Sequence, residues 1–532
     1  MSKYDIIGAG LAGGWKVTDA STLTANQVVE ADVVVIGTGA GGGTTAEILA
    51  AAGLDVILVE EGRLYYQKDF KMDELFSYSH LYQEGMSRVT ADGGISILQG
   101  RCVGGSTTVN WTSSFHTPDP TLKYWADRFG VKNASHADMA PWFANREKRL
   151  NIHPWTVTPN ENNAALQRAS ERLGWAWAII PRNVKGCWNS GYCGFGCPTN
   201  AKQGMLLTTV PGALDKGARL YHGLRAERLV MQGDRLSHLE ATALDQDVLN
   251  PTGVKVTLRA KHFVVAASAI GSPGLLLRSG LPDPYSLVGK RTFLHPVNAT
   301  VAIMPNEVNP FYGAPQSIYS DEFVWKKGVE GPVGYKLEVP PLHPAMSAGV
   351  LPAHGEALYE QIHQLPHMQS IIALLRDGFH EESQGGQVSL RDDGSPVLDY
   401  PVTDYLWRGF RDAYLTMAEA QFAAGAKGVR LVHMDSPLFS RWPEAKAAIA
   451  DIPLELHRAR LFTAHQMGGC GMGEDPKTSV VNSYGEHHHV ANLSVHDAST
   501  FPTSIGANPQ LSVYAFAARN ATHLAGRLTD KA

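Results

Sequence analysis

A strand, a glycine-rich turn and a helix follow one another near the start of the chain, and this unit limits the possible folds more than any other feature. ADVVVIG (31–37) is a continuous apolar run of strand length, as expected for a strand buried in a parallel sheet. A G-x-G-x-x-G motif follows at once, with its glycines at Gly37, Gly39 and Gly42. Such glycines allow a tight turn and bring the helix N-terminus close to a pyrophosphate.

The residues after the motif complete a strand–helix–strand unit. TTAEILAAAG (44–53) is typical of a helix that ends at a glycine, and DVILVEE (55–61) is typical of a second buried strand. Glu60 stands at the end of that strand, where a carboxylate can accept both hydrogen bonds from an adenosine ribose. The unit therefore predicts an α/β domain that binds a dinucleotide.

A second G-x-G-x-x-G motif, at the extreme N-terminus, lacks this context. Its glycines are Gly8, Gly10 and Gly13; only YDII precedes the motif, and no amphipathic pattern follows it. An isolated motif of this kind is a weak indication of nucleotide binding. We expect residues 1–30 to form a turn-rich N-terminal extension.

Length and charge exclude several classes of protein. A chain of 532 residues predicts at least two domains. The net charge of −5 and the absence of a basic stripe argue against a nucleic-acid partner. No convincing signal peptide begins the chain, and no apolar run approaches the ~18 residues of a membrane span. We expect a cytoplasmic protein, with export or peripheral membrane attachment through a partner subunit as the alternative.

Four later motifs resemble signatures of the glucose–methanol–choline (GMC) flavoprotein oxidoreductases. LQGRCVGGSTTVNW (98–111) and ASAIGSPGLLLRSGL (267–281) resemble the first and second signatures of that family. AHQMGGCGMG (464–473) and NLSVHDASTFPTSIGANPQLSVYAFAARNA (492–521) resemble its closing segments. Because these motifs and the glycine unit follow the family's order, the chain is identified as a member.

The resemblance implies FAD as the cofactor and assigns residues to it. Gly37, Gly39 and Gly42 would face the diphosphate, and Glu60 the adenosine ribose. The remaining implied cofactor residues are Gly100, Arg101, Gly104, Gly105, Ser106, Asn110, Ala226 and Asp497. Some members attach the flavin to a histidine just before the first signature. Gln99 occupies that position here, so we expect non-covalent FAD.

The expected fold class is α/β, with a Rossmann-like FAD-binding domain built from discontinuous segments and a substrate domain whose antiparallel sheet is backed by helices. The resemblance and the local patterns together divide the chain into residues 31–115, 205–282 and 456–532 (FAD-binding domain), 116–204 (lid and cysteine loop) and 283–455 (substrate domain).

Two local patterns agree with this substrate domain. QVSLRDDGSPVLDYPV (387–402) predicts a hairpin that turns at its Asp-Asp-Gly segment. Residues 405–426 predict an amphipathic helix that ends at Gly425.

Two polar residues near the C-terminus are candidates for the chemistry. Alcohol oxidation needs a base for the hydroxyl proton and groups that hold the alcohol oxygen, and histidine suits the first task because of its pKa. His465 opens the segment that matches the family's H-x-x-G-x-C-x-M-G pattern, where the catalytic histidine stands. Asn508, in GANPQ, matches the second catalytic position. The resemblance implies that His465 is the base and that Asn508 hydrogen-bonds the substrate oxygen.

The implied function is oxidation of an alcohol, a primary aliphatic or aromatic one by similarity to the family's long-chain alcohol oxidases. Hydride would pass to FAD and electrons to an external acceptor, with no nucleic-acid partner. Two alternatives stand beside a dehydrogenase: an oxygen-using alcohol oxidase, and a lyase of the same fold in which FAD takes no part.

Three of the five cysteines lie in one loop, GCWNSGYCGFGCP (186–198), at Cys187, Cys193 and Cys197. Thiolates are the preferred ligands of iron–sulfur clusters, and the glycines leave the backbone free to wrap around one. The spacing resembles that of cluster-bearing catalytic subunits of bacterial FAD-dependent glucose and fructose dehydrogenases, which implies a 3Fe–4S cluster. Plain thiols or one disulfide are the alternative, because long-chain alcohol oxidases carry similar runs. A cluster would send electrons to a cytochrome or quinone; without one, oxygen or a soluble acceptor would receive them.

Overall fold

The structure is a computed structural model that describes residues 5–529. Within that range the α-helices are α1 Ile6–Ala12, α2 Ala40–Ala51, α3 Glu74–Leu81, α4 Ser106–Val109, α5 Asp119–Phe129, α6 His136–Leu150, α7 Glu161–Leu173, α8 Thr209–Leu214, α9 Ser268–Arg278, α10 Pro344–Val350, α11 Gly355–His363, α12 Asp404–Ala423, α13 Trp442–Asp451 and α14 Gln510–Thr529. None of these helices is long and apolar enough to cross a membrane.

The strands of the same range form two large sheets and two small ones. They are β1 Lys16–Asp19, β2 Gln27–Ile36, β3 Val56–Glu60, β4 Ile95–Ile97, β5 Ile152–Pro154, β6 Ala178–Ile179, β7 Pro181–Asn183, β8 Arg219–His222, β9 Leu224–Gln232, β10 Arg235–Leu244, β11 Pro251–Val265, β12 Lys290–Phe293, β13 Val297–Ile303, β14 Ile318–Ser320, β15 Tyr335–Glu338, β16 Met368–Leu375, β17 Gly386–Leu390, β18 Pro396–Asp399, β19 Gly428–Leu431, β20 Leu461–Thr463, β21 Met467–Gly468 and β22 Leu493–Val495.

The first large sheet contains the predicted strand–helix–strand unit. Its order is β1-β8-β3-β2-β11-β10-β9, with β22 also paired to β11. In this order the neighbouring strands from β1 as far as β11 pair in parallel, and β22 also pairs in parallel with β11. β10 pairs antiparallel with both of its neighbours, β11 and β9. α2 and α14 pack together beside this sheet, and their apolar side chains join its main core. The mixed α/β class is confirmed, and the sheet draws its strands from widely separated parts of the chain.

The N-terminal segment differs from the expectation. Gly8 and Gly10 of the N-terminal glycine motif lie in a helix, α1, and Gly13 is its C-cap. The N-terminus of α1 is capped by the Asp5 side chain. β1 then adds to the edge of the first sheet, parallel to β8. The expected turn-rich extension is wrong here, because pairing with a sheet edge decides the structure and local glycine content does not.

The second large sheet is almost entirely antiparallel, and a separate apolar core packs against each of its two faces. Its order is β4-β20-β13-β16-β15-β14-β6, with β19 also paired to β13. α12 covers one face. A separate apolar cluster covers the other face and includes Val297, Ile372 and Leu374.

The local predictions in this half agree with the structure. β17 and β18 form the hairpin, and Gly394 at its turn has a left-handed φ of 79°. α12 ends at Ala423, just before Gly425, whose φ is 98°.

Candidate active site

One cavity of about 750 Å³ runs between the two large sheets. Most of the predicted site residues line it: Gly37, Gly39, Glu60, Gly100, Arg101, Gly105, Ser106, Asn110, Ala226, His465, Asp497 and Asn508. Gly42 and Gly104 do not line it, and neither does any residue of the Cys187, Cys193 and Cys197 group. The structure therefore brings the implied cofactor and catalytic residues to a single site and leaves the cysteines outside.

The glycine turns form a cradle in which backbone segments touch. Gly37 has a φ of 102°, and Gly39 is the N-cap of α2. A Cβ on Gly105 would lie 2.8 Å from Cα of Gly39, and a Cβ on Gly100 would lie 2.7 Å from the carbonyl carbon of Gly105. Because side chains are excluded there, backbone N–H groups and the N-terminus of α2 are left facing the cavity, which suits a diphosphate.

Gly42 and Gly104 support this cradle from behind. A Cβ on Gly42 would lie 1.9 Å from the carbonyl oxygen of Gly37, so the glycine permits close packing of α2 on β2. Gly104 has a φ of 90°, and its N–H donates to the Thr38 hydroxyl at 3.0 Å. Their contribution is to the shape of the loop.

Two buried carboxylates mark the nucleotide part of the cavity. Glu60 accepts hydrogen bonds from the Thr38 hydroxyl at 2.6 Å and from the Gly62 N–H at 3.0 Å. Burial nevertheless raises the pKa of Glu60 to about 7. Asp497 accepts from the Ser268 N–H at 2.8 Å and from the Ser272 hydroxyl at 2.5 Å, and burial raises its pKa as well. Both carboxylates are held rigidly by donors from neighbouring loops.

The other predicted cofactor residues are fixed by neighbours that the sequence did not indicate. Arg101 forms an ion pair with Glu61 at 2.6 Å. The Asn110 amide donates to Oε1 of Gln510 at 2.6 Å. The carbonyl of Ala226, in β9, accepts a hydrogen bond from Arg278 at 2.9 Å.

Gln99 lies in the cavity wall, where some family members have the flavin-linked histidine. Its Oε1 accepts a hydrogen bond from Nη1 of Arg88 at 2.9 Å, and the side chain is buried. An amide is not a nucleophile that forms a bond to a flavin. The shape, glycines and donors of the cavity fit FAD, and the expectation that it is held without a covalent bond stays a prediction.

The catalytic candidates meet at the other end of the cavity, where a second histidine joins them. His465 follows β20, and its Nδ1 lies 3.3 Å from Nδ1 of His295. The Gly506 N–H donates to Nε2 of His295 at 3.0 Å. Nε2 of His295 is therefore an acceptor, so this ring carries its proton on Nδ1 and donates it to His465. Nε2 of His465 then carries the remaining ring proton.

Both imidazoles are neutral in this environment. Burial, with a smaller contribution from the nearby Lys336 ammonium, lowers the pKa of His465 to about 3. Burial also places the pKa of His295 well below its usual value, with smaller contributions from His465 and Lys336. A neutral imidazole can exchange a proton with a hydroxyl group, so the arrangement suits acid–base chemistry.

Asn508 is oriented by a buried ion pair that sequence reasoning missed. Its Nδ2 donates to Oε2 of Glu338 at 3.1 Å, and its Oδ1 has no protein partner among the described residues. Nζ of Lys336 lies 3.5 Å from Oε1 of Glu338 and 3.0 Å from the centroid of the Phe115 ring. Lys336 and Glu338 share a face of the fully buried β15, and this i, i+2 pair of charges in an apolar strand was the available signal.

The walls around these residues are apolar. Val297 of β13 stands opposite both Leu374 of β16 and Phe462 of β20 across the second sheet, and Ile372 lies farther along β16. All four side chains line the cavity. A hydroxyl held at His465 and Asn508 would have a hydrocarbon environment beside it.

The cysteine loop lies behind the cavity wall and is tied to other groups. Arg182 lies 3.5 Å from Sγ of Cys193, the Asn189 N–H donates to Sγ of Cys187, and Sγ of Cys197 contacts the Thr199 hydroxyl. Across residues 5–529 no group of three or more His, Cys, Asp or Glu side chains is arranged to hold a metal ion. The predicted 3Fe–4S cluster receives no support from this arrangement.

Comparison with known proteins gives a consistent family. The profile of the GMC oxidoreductases matches residues 78–297 with its N-terminal part and residues 382–517 with its C-terminal part. An uncharacterised GMC-type oxidoreductase of Mycobacterium tuberculosis is 31% identical over 92% of this chain and 75% of its own length. A long-chain-alcohol oxidase of Arabidopsis thaliana is 29% identical over 91% of this chain and 66% of its own length.

Solved structures share the fold at much lower identity. A formate oxidase of Aspergillus oryzae superimposes with a TM-score of 0.69 at 14% identity, covering 95% of this chain and all of that one. An FAD-dependent oxidoreductase from Chaetomium thermophilum superimposes with a TM-score of 0.65 at 14% identity, covering 94% of this chain and 99% of that one.

Proposed function

The chain belongs to the GMC oxidoreductase family, and from that premise we propose that it oxidises a primary aliphatic or aromatic alcohol to the carbonyl compound, with non-covalent FAD as its cofactor. One observation carries this proposal: His465 and Asn508 lie together at the apolar end of a cavity whose other end is a glycine cradle. Both ends are needed, because the alcohol oxygen must be held where a bound cofactor can reach the carbinol carbon.

FAD, when bound, supplies the acceptor for the two electrons that leave the alcohol carbon as hydride. The chain itself holds the hydroxyl group and takes its proton. In the resting arrangement Nε2 of His465 donates a hydrogen bond to the alcohol oxygen, and Oδ1 of Asn508 accepts one from the hydroxyl. A hydroxyl group has this donor–acceptor pattern, whereas an ether or a hydrocarbon does not.

His465 can accept the hydroxyl proton at Nε2 once its own ring proton has moved to Nδ1. His295 must then accept at its Nδ1, and its Nε2–H then faces the Gly506 N–H instead of accepting from it. Losing one buried hydrogen bond of this kind costs about 1–3 kcal/mol, which is small beside a reaction barrier. The histidine pair can therefore accept the proton only as hydride leaves, because burial lowers the pKa of His465 to about 3 and makes a lasting imidazolium costly.

The substrate class rests on the walls of the cavity and on the relatives. Val297, Ile372, Leu374 and Phe462 give the reacting end an apolar surface, which favours a hydrocarbon substituent over a sugar. Two of the relatives named above are oxidases, one of long-chain alcohols and one of formate. We propose oxygen as the electron acceptor, because the long-chain-alcohol relative from Arabidopsis thaliana is an oxidase.

An anaerobic flavin-reduction experiment tests the proposal. The purified enzyme is mixed with a panel of primary alcohols of increasing chain length, benzyl alcohol and glucose, and the absorbance of oxidised flavin is followed at about 450 nm. We expect aliphatic or aromatic alcohols to bleach the flavin and glucose to leave it unchanged. Readmission of oxygen should restore the absorbance and release peroxide.

Two results would contradict the proposal in different ways. If no alcohol bleaches the flavin while dithionite does, the protein holds FAD but is not an alcohol-oxidising enzyme. If alcohols bleach it and oxygen does not restore the absorbance within minutes while a dye acceptor does, the enzyme is a dehydrogenase and the assignment of oxygen is wrong.

A further inference from the structure

The five cysteines divide into two groups that differ in exposure. Cys102 and Cys470 are completely buried, and burial raises the pKa of both thiols, that of Cys102 to about 12. Cys187, Cys193 and Cys197 are all partly exposed, and all five cysteines are free of disulfides. Reagents in solution therefore have access to the three thiols of the loop and not to the other two.

Two buried cations lie against this loop without a carboxylate partner. Arg182 is completely buried, lies 3.5 Å from Sγ of Cys193, and has its Nη1 unpaired among the described residues. Lys202 is buried as well, and its Nζ donates to three carbonyl oxygens, those of Cys193, Thr108 and Asn110. Neither cation forms an ion pair with any residue in the range 5–529.

Buried positive charge without a counter-ion is costly, and the loop supplies a group that can become the counter-ion. A thiolate at Cys193 would receive a charge-assisted hydrogen bond from the Arg182 guanidinium and would sit near the Lys202 ammonium. The thiolate is the form of cysteine that reacts with oxidants and alkylating agents. Exposure and charge together single out Cys193 among the five.

We propose that Cys193 is a peroxide-reactive thiol activated by Arg182, and that Cys187 is the thiol that resolves it into a disulfide. Cys187 is taken as the partner because Sγ of Cys197 contacts the Thr199 hydroxyl, and peptide mapping of the disulfide distinguishes the two thiols. The proposal rests on the proposed function for the source of the oxidant, since an oxygen-using alcohol oxidase releases hydrogen peroxide.

The chemistry balances in two steps. The Cys193 thiolate attacks one peroxide oxygen, the O–O bond breaks, and hydroxide leaves and is protonated to water, which makes Cys193 a sulfenic acid. The Cys187 thiol then attacks the sulfenic sulfur, and a second water leaves as the S–S bond forms. Two thiols lose two electrons in total, and one peroxide gains them.

Hydrogen bonds connect the loop to the cavity wall, so oxidation of the loop thiols would shift residues that line the cavity. Lys202 holds the carbonyl of Asn110, the Tyr82 hydroxyl donates to the Gly194 carbonyl at 2.9 Å, and Arg182 donates to the Thr112 hydroxyl at 2.7 Å. Asn110, Tyr82 and Thr112 all line the cavity. A disulfide between residues 187 and 193 would distort these hydrogen bonds, and turnover would fall as peroxide accumulates.

Alkylation measured thiol by thiol tests the first half of the proposal. The holoenzyme is treated with iodoacetamide at pH 7 and digested, and each cysteine peptide is quantified by mass spectrometry over time. Cys193 should react first and Cys102 and Cys470 only after unfolding, which makes the two buried thiols internal standards. Arg182→Gln should slow Cys193 about tenfold or more, whereas Arg168→Gln, a partly exposed arginine paired with Glu161, should leave its rate unchanged.

Added hydrogen peroxide tests the second half without any turnover. The peptides of Cys187 and Cys193 should become joined with a loss of about 2 Da that dithiothreitol reverses, and Cys187→Ser should leave a sulfenic acid at Cys193 that dimedone traps. A parallel sample receives alcohol and oxygen, with and without catalase. If added peroxide oxidises the loop thiols but alcohol with oxygen does not, the proposed oxidase function is contradicted and the proposed thiol site is still supported.

Several results would overturn the thiol site itself. One is alkylation of Cys193 no faster than that of Cys102 in the folded protein, which needs no variant and so does not depend on whether Arg182→Gln folds. Another is bound iron that protects the three loop cysteines until it is chelated. A third is a peroxide-treated enzyme in which all three thiols of the loop remain reduced.

Discussion

Two lysines are buried behind the residues that line the cavity, and their positive charges are compensated in different ways. Lys336, behind Asn508, faces the carboxylate of Glu338. Lys202, behind the cysteine loop, faces only carbonyl oxygens and sulfur. Burial lowers the pKa of each ammonium, and the net value is about 8 at both lysines. The group that compensates the charge differs between the two lysines, and this difference has consequences for the neighbouring side chains.

At the catalytic end the counter-ion is permanent and has a second task. Glu338 pairs with Lys336, and its other oxygen accepts a hydrogen bond from the Asn508 amide, which leaves Oδ1 of Asn508 without a protein partner among the described residues. At the cysteine loop the counter-ion is made only when a thiol ionises. The Lys336–Glu338 pair holds the Asn508 side chain in one orientation, whereas the buried cations at the cysteine loop favour the reactive thiolate form of a cysteine. Four predictions separate the two regions.

The largest expected effect divides the chemistry between the two regions. His465→Ala should slow anaerobic alcohol-dependent flavin reduction about 10²–10⁴-fold, because it removes the proton acceptor and a hydrogen-bond donor. Cys193→Ser should leave that rate within about twofold, because the loop does not line the cavity. Stopped-flow absorbance measures both. Equal slowing by the two substitutions would mean that the regions are not separate.

The second prediction concerns stability and tests the ion pair directly. Lys336→Met should reduce the free energy of unfolding by about 3–5 kcal/mol, because it leaves the buried Glu338 carboxylate without its cationic partner. Adding Glu338→Leu should recover much of the loss. Lys327→Met is the matched control: Lys327 pairs with Asp412 at the surface, where such pairs contribute about 0–1 kcal/mol. Denaturant unfolding compares the variants, and equal losses at both lysines would contradict the burial argument.

The third prediction isolates the orientation of Asn508. Glu338→Gln replaces a charge-assisted hydrogen bond by a neutral one and lets the Asn508 amide rotate. We expect kcat to fall about tenfold, equivalent to about 1.4 kcal/mol, with the dissociation constant of FAD unchanged. Glu382→Gln, at an exposed carboxylate far along the chain, is the control. A loss of FAD affinity together with kcat would indicate general loosening instead of reorientation.

Local signals made much of the fold predictable. The strand–glycine–helix–strand unit, the hairpin at Gly394 and the end of α12 before Gly425 all depend on residues close together in sequence. The two catalytic candidates came from the family resemblance, since nothing in spacing links His465 to Asn508. α1 and β1 were missed because pairing with β8 depends on a segment two hundred positions away.

The residues that support the site were out of reach for a related reason. Lys336 and Glu338 come from β15, and only tertiary packing brings them to Asn508. His295, in FLHPVN before β13, could be named from the sequence only as either near the substrate or merely packed, and the structure places it against His465. The cysteine spacing suggested a cluster, yet spacing fixes neither the direction of a side chain nor the charges around it. Arg182 and Lys202 carry no motif, and their relation to the thiols appears only in the fold.

The smallest expected effect is an absence of pH dependence at the catalytic end. Because the pKa of His465 is lowered from 6.5 to about 3, the ring stays neutral from pH 8 down to pH 5. Alcohol-dependent flavin reduction should therefore show no fall from protonation of His465 over that range, and any change near pH 7–8 would report Glu60 or Lys336, whose pKa values are raised to about 7 and lowered to about 8.

The same lowered pKa has a consequence for stability. Unfolded chains bind a proton at His465 near pH 6.5 and the folded chain does not, so stability falls as pH drops from 6.5 toward 3. Rapid-mixing measurements above pH 5 avoid this loss of folded protein. A sigmoidal fall in the reduction rate centred near pH 6.5 would mean that the His465 imidazole is solvated, and the catalytic end would then lack the buried, charge-fixed environment that separates it from the partly exposed cysteine loop.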